Sequence, residues 1–439
     1  MKKTVSILIL ILIPVLLFAE DENSLIFDTA DRGDPGGRAP IIKPWKQLTV
    51  DPVYGGDWIV AGDVDGDGRV DFVSARNVNK DDVHYTSAAT AQRLDGSVIW
   101  HWGDPRIGRR ELHHDVACQV YDWNGDGKNE VILSTKGYLV ELDGATGKER
   151  RRIKIPDDAT DCIVFANLSG NKHASDVLVK TRYTQIWAYD YEGKLLWTVE
   201  KPGGYRTSHQ PRPIDIDGDG RDEIMAGYTM LNPDGSERWT LRSEKVDLNR
   251  GHLDCCRVLK KGKTPEEYRL VLTYCGANDI ALADGNGKVL WEITGYHFES
   301  VNIGKIYPHL PGLQILVDID HQPHGEAPLW VIDETGKHLG RIVTNYCRHH
   351  KLIDWTGDGY SEIAVAHEAR GLFDRNGRRI ATFGMETPAS KILLGDMTGD
   401  GIPDIALTTL TNIYIYKNTN AKKTEKSAPL GTETNFTYY

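Results

Sequence analysis

DVDGDGRVDFV, residues 63–73, decides how the chain is read. Asp63, Asp65 and Asp67 alternate with other residues, Gly66 and Gly68 let the backbone curl, and Asp71 leads into an apolar strand. A second apolar strand precedes the loop, so strands rather than helices flank it. The form D-x-D/N/T-G-D-G-x-x-D/E begins again at Asp122, Asp215, Asp354 and Asp396. Between these loops runs a second signature, a polar turn followed by a strand often closed by tryptophan. It reads LDGSVIW ending at Trp100, LDGATGK at Lys148, YEGKLLW at Trp197 and NPDGSERW at Trp239. It continues as DGNGKVLW at Trp291, DETGK at Lys337 and DRNGR at Arg378.

The two signatures together mark eight units: 54–100, 101–155, 156–202, 203–248, 249–295, 296–345, 346–386 and 387–418. Their strands are short and β-branched, and no helical period interrupts them. Roughly 45 residues and four strands per unit is the arithmetic of a propeller blade. The expected fold is therefore an all-β propeller of eight four-stranded blades, or seven on a shorter count. The last unit offers only three strands, and one near Gln47–Asp51 is expected to complete it and close the ring.

The first residues carry an export signal. Met1-Lys2-Lys3 is basic, Val5 to Phe18 is almost wholly apolar, and Ala19 precedes the acidic Glu20-Asp21-Glu22. Residues 1–19 are expected to be a cleaved signal peptide, with a retained anchor as the alternative. Residues 20–418 then form one propeller and 419–439 a polar tail, and the protein is secreted or periplasmic with no membrane span after cleavage. A monomer is expected. The net charge of −11 argues against nucleic acid as a partner but permits an anionic polysaccharide where basic groups cluster. With six cysteines in a long chain, Cys255 and Cys256 adjacent, metal ligation or buried thiols compete with disulfides.

The acidic loops present oxygen ligands suited to Ca²⁺ at positions one, three, five and nine. These are Asp63, Asp65, Asp67 and Asp71; Asp122, Asn124, Asp126 and Glu130; and Asp215, Asp217, Asp219 and Glu223. The last two loops offer Asp354, Thr356, Asp358 and Glu362, then Asp396, Thr398, Asp400 and Asp404. Calcium is expected to be structural.

Ahead of the first strands gathers a different chemistry: His113 and His114; Tyr205, Arg206 and His209; His252, Asp254, Cys255 and Cys256; His297 and Glu299; Cys347, His349 and His350. These lie four to nine residues before the loops, about 13–30 Å of strand, and so on the opposite face. Second strands return to that face with Arg76, Lys136, Arg182, Tyr183, Tyr228, Cys275, His321 and His367. His252, Cys255 or Cys256, Cys275, and Cys347 or His349 compose a candidate zinc site. Among the others, His113, His114, Tyr183, Arg206, His209 and Tyr228 read as a proton-transfer set, and Arg76, Lys136, Arg182, His321 and His367 as substrate-binding groups.

With DVDGDGRVDFV, DWNGDGKNEVI, DIDGDGRDEIM and DWTGDGYSEIAV, and histidines ahead of the blade strands, the chain resembles propeller polysaccharide lyases. The likeness is chiefly to ulvan lyases and more distantly to rhamnogalacturonan lyases. Ulvan lyases of this type have seven blades; rhamnogalacturonan lyases have eight and further domains. The resemblance implies β-elimination at a uronic acid, in ulvan a sulfated rhamnose–uronate chain. A base takes the C5 proton, a cation neutralises the carboxylate, and an acid protonates the oxygen leaving C4. By blade position, these roles map onto His114 or His113, Tyr183 and Arg206, with His209 and Tyr228 as alternates. Two other readings compete. A calcium-dependent carbohydrate- or protein-binding propeller explains the loops, and a quinone-dependent dehydrogenase explains Cys255-Cys256 and LDGATGK.

Overall fold

The computed structural model describes residues 27–30, 39–80, 83–110, 118–320, 327–343, 349–367 and 369–421. Eight sheets follow one another along the chain as blades I to VIII: 58–103, 118–154, 164–200, 207–240, 252–294, 297–343, 350–383 and 391–416. The chain is an eight-bladed β-propeller, and each sheet falls in the unit expected for it, give or take a few residues. Helix among the described residues is confined to three short 3₁₀ turns, Pro202–Gly204, Leu248–Arg250 and Pro265–Glu267. None is long and apolar enough to cross a membrane.

Second strands such as Glu223–Gly227 and Asp176–Lys180 are buried along their whole length, because a neighbouring blade covers each face. This is why they read as unbroken apolar runs. The cores lie between blades: Trp58, Val60 and Val73 of blade I meet Val120, Val131 and Leu133 of blade II.

The tryptophan and the turn glycine of the second signature are two halves of one interblade contact. The indole N–H groups of Trp100, Trp197, Trp239 and Trp291 donate to the carbonyls of Gly144, Pro233, Gly285 and Glu334 in the next blade's turn, at 2.7, 2.9, 2.8 and 3.1 Å. The ring lies so close to that turn that a Cβ on Gly147 would come within 2.5 Å of Trp100. Gly147 also has φ +66°, a second reason for glycine there.

The ring closes as the sequence suggests. Lys46–Thr49 supplies the fourth strand of blade VIII, antiparallel to Asn412–Tyr416, with Leu48 opposite Ile413. Two further strands were not anticipated: Phe27–Ala30 and Ile41–Ile42 add in parallel to the outer edges of blades VI and VII. Both are too short to show a period. Leu48 is buried against Ile59, Phe72 and Leu393 at the seam. Leu48→Ala is expected to lower the unfolding free energy by about 2–5 kcal/mol, read from chemical denaturation.

Candidate active site

Each inner strand runs from one face of the ring to the other, where five blades carry an acidic loop, and the second strand returns. In blades IV, V and VI the inner strands are Thr207–Ile214, His252–Lys260 and His297–Gly304. All three slip register near their start: between Thr207 and Arg212, Leu253 and Cys255, and Phe298 and Val301. A bulge inserts an unpaired residue and re-aims side chains. Here it turns His209, Asp254 and Glu299 toward their histidine neighbours.

The first cluster is His209, His252 and Asp254, with donor atoms within 4.8 Å of one another. His252 Nε2 lies 2.8 Å, and His209 Nε2 3.6 Å, from Asp254 Oδ1. Tyr183, on the turn between the second and third strands of blade III, stands over both rings. Its hydroxyl is 3.5 Å from His209 Nε2, and its ring centroid 4.6 Å from that of His252. The guanidinium groups of Arg182 and Arg206 lie 5.1 and 5.7 Å from the Tyr183 ring centre. Tyr183, Lys201, Tyr205, Arg206 and Asn249 border an open recess of about 570 Å³. Arg206 is exposed and Tyr183 half-buried, while His209 is buried behind it. Burial pushes the His209 imidazole well below its usual 6.5, and the charges of His252, Lys180 and Arg182 push the same way. His209 is therefore held neutral, and its ring nitrogen can accept a hydrogen bond from the tyrosine.

The second cluster is Cys275, His297 and Glu299. His297 Nε2 lies 3.3 Å from Cys275 Sγ and 3.0 Å from Glu299 Oε1, and the hydrogen bond with Glu299 raises the imidazole's pKa despite its burial.

Behind the recess sits a group that the sequence reading missed. Lys180 Nζ donates to Asp161 Oδ2 at 2.7 Å and to the Arg182 carbonyl at 2.7 Å, so it braces the turn carrying Tyr183. His84 Nδ1 meets Asp161 Oδ1 at 3.0 Å. His84 lies on the long hairpin of Asp71–Lys80 and Val83–Arg93 in blade I, which reaches past blade II to blade III. Burial alone would raise Asp161; Lys180 and His84 outweigh it and hold the carboxyl below the usual range.

The other expected residues are dispersed. Tyr228 is in the core rather than on the recess, edge-on to Tyr205 and Tyr274, and its hydroxyl has no hydrogen-bond partner among the described residues. Arg76 spends its guanidinium on the Val53 and Gly108 carbonyls, at 3.0 and 3.1 Å. Lys136 is an exposed hairpin residue, and His367 pairs by ring contact with buried His349, 6.3 Å between centroids. His113, His114, His321 and Cys347 lie outside the described residues.

Among the described residues, the expected zinc set does not converge. Consecutive strand residues point to opposite faces, so Cys256 enters the core between blades IV and V and Cys255 that between V and VI. Both are free thiols, without the vicinal bridge that a dehydrogenase reading invokes. His252 joins His209 instead, and Cys275 joins His297. A sequence signal for these groupings was present: His252-Leu-Asp254 and His297-Phe-Glu299 are the same His-x-acid pair at the start of successive inner strands.

At the opposite face the acidic loops curl as a cation site requires. Asp63 accepts from the Gly66 and Gly68 amides at 2.7 and 2.9 Å, and Asp71 from Val64 at 3.1 Å. Burial, with the charges of Asp65 and Asp67, pushes Asp71 up to about 7. Asp63, Asp65 and Asp71, and likewise Asp215, Asp217 and Glu223, hold their oxygens within 4.8 Å. A basic side chain already reaches each loop: Arg93 to Asp65, Arg150 to Glu130, Arg238 to Asp217 and Glu223, Arg375 to Asp358, and Lys417 to Asp400.

No family model matches the chain. Over 319 and 318 residues it is 26% identical to rhamnogalacturonan exolyase YesX and endolyase YesW of Bacillus subtilis (strain 168), a match covering 58% of this chain in each case. The chain spans about half the length of these curated relatives, 51% and 50%. Among solved structures, rhamnogalacturonan lyase YesW superposes with a TM-score of 0.61 at 21% identity, over 89% of this chain and 76% of that one. Bacillus licheniformis rhamnogalacturonan lyase PL11 gives 0.60 at 19%, over 88% and 76%. The V. cholerae biofilm matrix protein Bap1 gives 0.57 at 12%, over 89% and 92%. At these identities the superpositions establish a shared propeller fold, and the likeness in sequence is to the two rhamnogalacturonan lyases.

Proposed function

We propose that this chain is an exported polysaccharide lyase that cleaves a uronate-bearing polysaccharide by β-elimination in the recess around Tyr183. The observation that carries the reading is the Tyr183–His209 pair at 3.5 Å with two guanidinium groups beside it. Arg206, exposed at the recess, binds the uronate carboxylate and spreads the charge that builds there as the C5–H bond breaks. Tyr183, hydrogen-bonded to neutral His209 and flanked by two guanidinium groups that favour its phenolate, takes the C5 proton. The electron pair left on C5 forms the C4–C5 double bond, the C4–O bond breaks, and the departing oxygen takes a proton from the same tyrosine–histidine pair. Asp254 lies 2.8 Å from His252 and holds that imidazole beside the tyrosine.

The likeness to rhamnogalacturonan lyases favours a rhamnose–galacturonate backbone; the sulfated rhamnose–uronate chain of ulvan is the alternative. The test is to incubate the protein with each and follow near-ultraviolet absorbance from the conjugated double bond. No absorbing product from either overturns the reading.

Calcium in the acidic loops belongs to the same proposal. The loops at 63–71 and 215–223 have the curl and the clustered carboxylates that a hard cation takes. When bound, the ion neutralises carboxylates that otherwise repel one another. Chelation is expected to lower the melting temperature, with calcium restoring it; an unchanged melting curve in strong chelator rejects structural calcium.

For a transition metal, Cys275, His297 and Glu299 are the fitting donors in place of the cysteine pair. A tetrahedral site with bonds of about 2.0–2.3 Å holds its donors roughly 3.3–3.8 Å apart. The 3.3 Å between Cys275 and His297 meets that spacing, and the 3.0 Å between His297 and Glu299 falls slightly short of it. Elemental analysis of tag-free protein is expected to find about one equivalent of zinc, lost in Cys275→Ser.

A further inference from the structure

A larger cavity opens on the acidic-loop side of the ring, away from the recess. It measures about 710 Å³ and lies against the inner strands of blades IV, V and VI. Three of its lining residues are cationic: Arg212, Arg257 and Lys261. Arg212 lies three residues beyond His209 on one strand and Arg257 five beyond His252 on the next, about 10 and 17 Å from the recess cluster. Both arginines line this one cavity from adjacent inner strands, and Arg257 Nη1 also donates to the Cys256 carbonyl at 3.0 Å. Burial pushes the Cys256 thiol up to about 12, and the charges of Arg212 and Arg257 both pull against that rise.

Two carboxylates also border the cavity, but both are turned into backbone. Asp215 accepts the Gly218 and Gly220 amides at 2.8 and 3.2 Å, and Asp222 the Asn167 amide at 2.7 Å. Tyr268 donates its hydroxyl to the Asp215 carbonyl at 2.9 Å. Arg212, Arg257 and Lys261 thus bring three cations to a space that the Asp215 and Asp222 carboxylates also border, in a chain whose net charge is −11. Val258, Val301, Ile303 and Leu313 form apolar walls. Guanidinium groups lining a cavity with apolar walls suit a sugar: C–H faces lie on the walls while a carboxylate or sulfate meets the fork-shaped donors.

We propose that this cavity is a second, non-catalytic binding site for an anionic saccharide, engaged through Arg212 and Arg257 with Lys261 at its rim. It rests on the reading that the chain handles anionic polysaccharide, and it gives the ring two saccharide contacts on opposite faces. A bound chain end or released fragment can thus be held without occupying the catalytic recess.

The test is calorimetric titration of the full chain with digalacturonate, glucose 6-sulfate and neutral cellobiose. An anionic sugar is expected to bind and cellobiose not to; binding of digalacturonate alone identifies a carboxylate site, and of glucose 6-sulfate alone a sulfate site. Arg212→Gln/Arg257→Gln is expected to weaken binding by about tenfold or more, since charge-assisted forks are lost. Tyr183→Phe is expected to leave it intact. Should the double variant unfold by circular dichroism, Lys261→Glu at the exposed rim replaces it, with binding at least about threefold weaker and steeper salt dependence. Failure of both anionic sugars to bind, wild-type affinity in the arginine or rim variants, or loss of binding in Tyr183→Phe overturns the proposal. Elimination assays on the same proteins separate the two claims. Cleavage without this titration removes only the second site; titration without cleavage removes only the lyase.

Discussion

Removing one oxygen, in Tyr183→Phe, is expected to slow eliminative cleavage by about a hundredfold to ten-thousandfold, because the group that moves the C5 and leaving-group protons is gone. The loss should appear in kcat rather than KM, since the phenyl ring keeps its contacts with His252 and the arginines. Arg206→Ala is expected to cost about a hundredfold or more by removing the charge that meets the carboxylate. Both positions lie at the open recess, so melting temperatures should barely change. The pH profile gives a separate check. His209 has its pKa well below 6.5, chiefly through burial, so raising the pH above 6.5 leaves it neutral as before. The acid limb that its protonation imposes therefore lies below pH 6.5. A limb centred above that value, or full activity in Tyr183→Phe, removes the pair from the chemistry.

Lys180→Met is expected to destabilise the fold by about 3–5 kcal/mol, because it leaves the buried Asp161 carboxylate with His84 as its remaining partner among the described residues. Both side chains are at most 2% exposed and meet at 2.7 Å. Asp161→Asn should cost a comparable amount, leaving the buried ammonium without its carboxylate, whereas Lys180→Met/Asp161→Asn should cost less than the two singles together. Guanidinium denaturation measures all three. Lys180 also holds the Arg182 carbonyl, so Lys180→Met should slow cleavage at temperatures where it remains folded. Additive stability losses would show that the pair is not coupled.

The fold was legible because its determinants are local and repeated. Each acidic loop carries its own turn chemistry, and the tryptophan–glycine contact recurs at fixed spacing. Even the seam strand was readable, since the last unit lacked a partner and Lys46–Thr49 had none of its own. The site was legible in part. Tyr183, Arg206 and His209 sit on neighbouring blades at the same height, so topological position brought them together. What failed were inferences from adjacency in sequence. Cys255 and Cys256 are neighbours in the chain yet enter different cores. The bulges that re-aim His209, Asp254 and Glu299 leave no residue-type signature, and His84 meets Asp161 across 77 residues through a hairpin whose reach the sequence does not state.

The strands at Phe27–Ala30, Ile41–Ile42 and Lys46–Thr49 visit blades VI, VII and VIII in turn before the chain enters blade I. This segment, made before blade I, thus waits for the last three blades of the ring, with Gln47 and Asn412 meeting across 365 residues. Such a pairing pays its loop-closure entropy late and slowly. During synthesis the first five blades can assemble in order while this leading segment remains an unpaired edge, open to association with other chains. Once fastened, it works as a clasp: a pull on the N-terminal side must peel parallel strands from two blades before it reaches the closing strand, so the seam opens last.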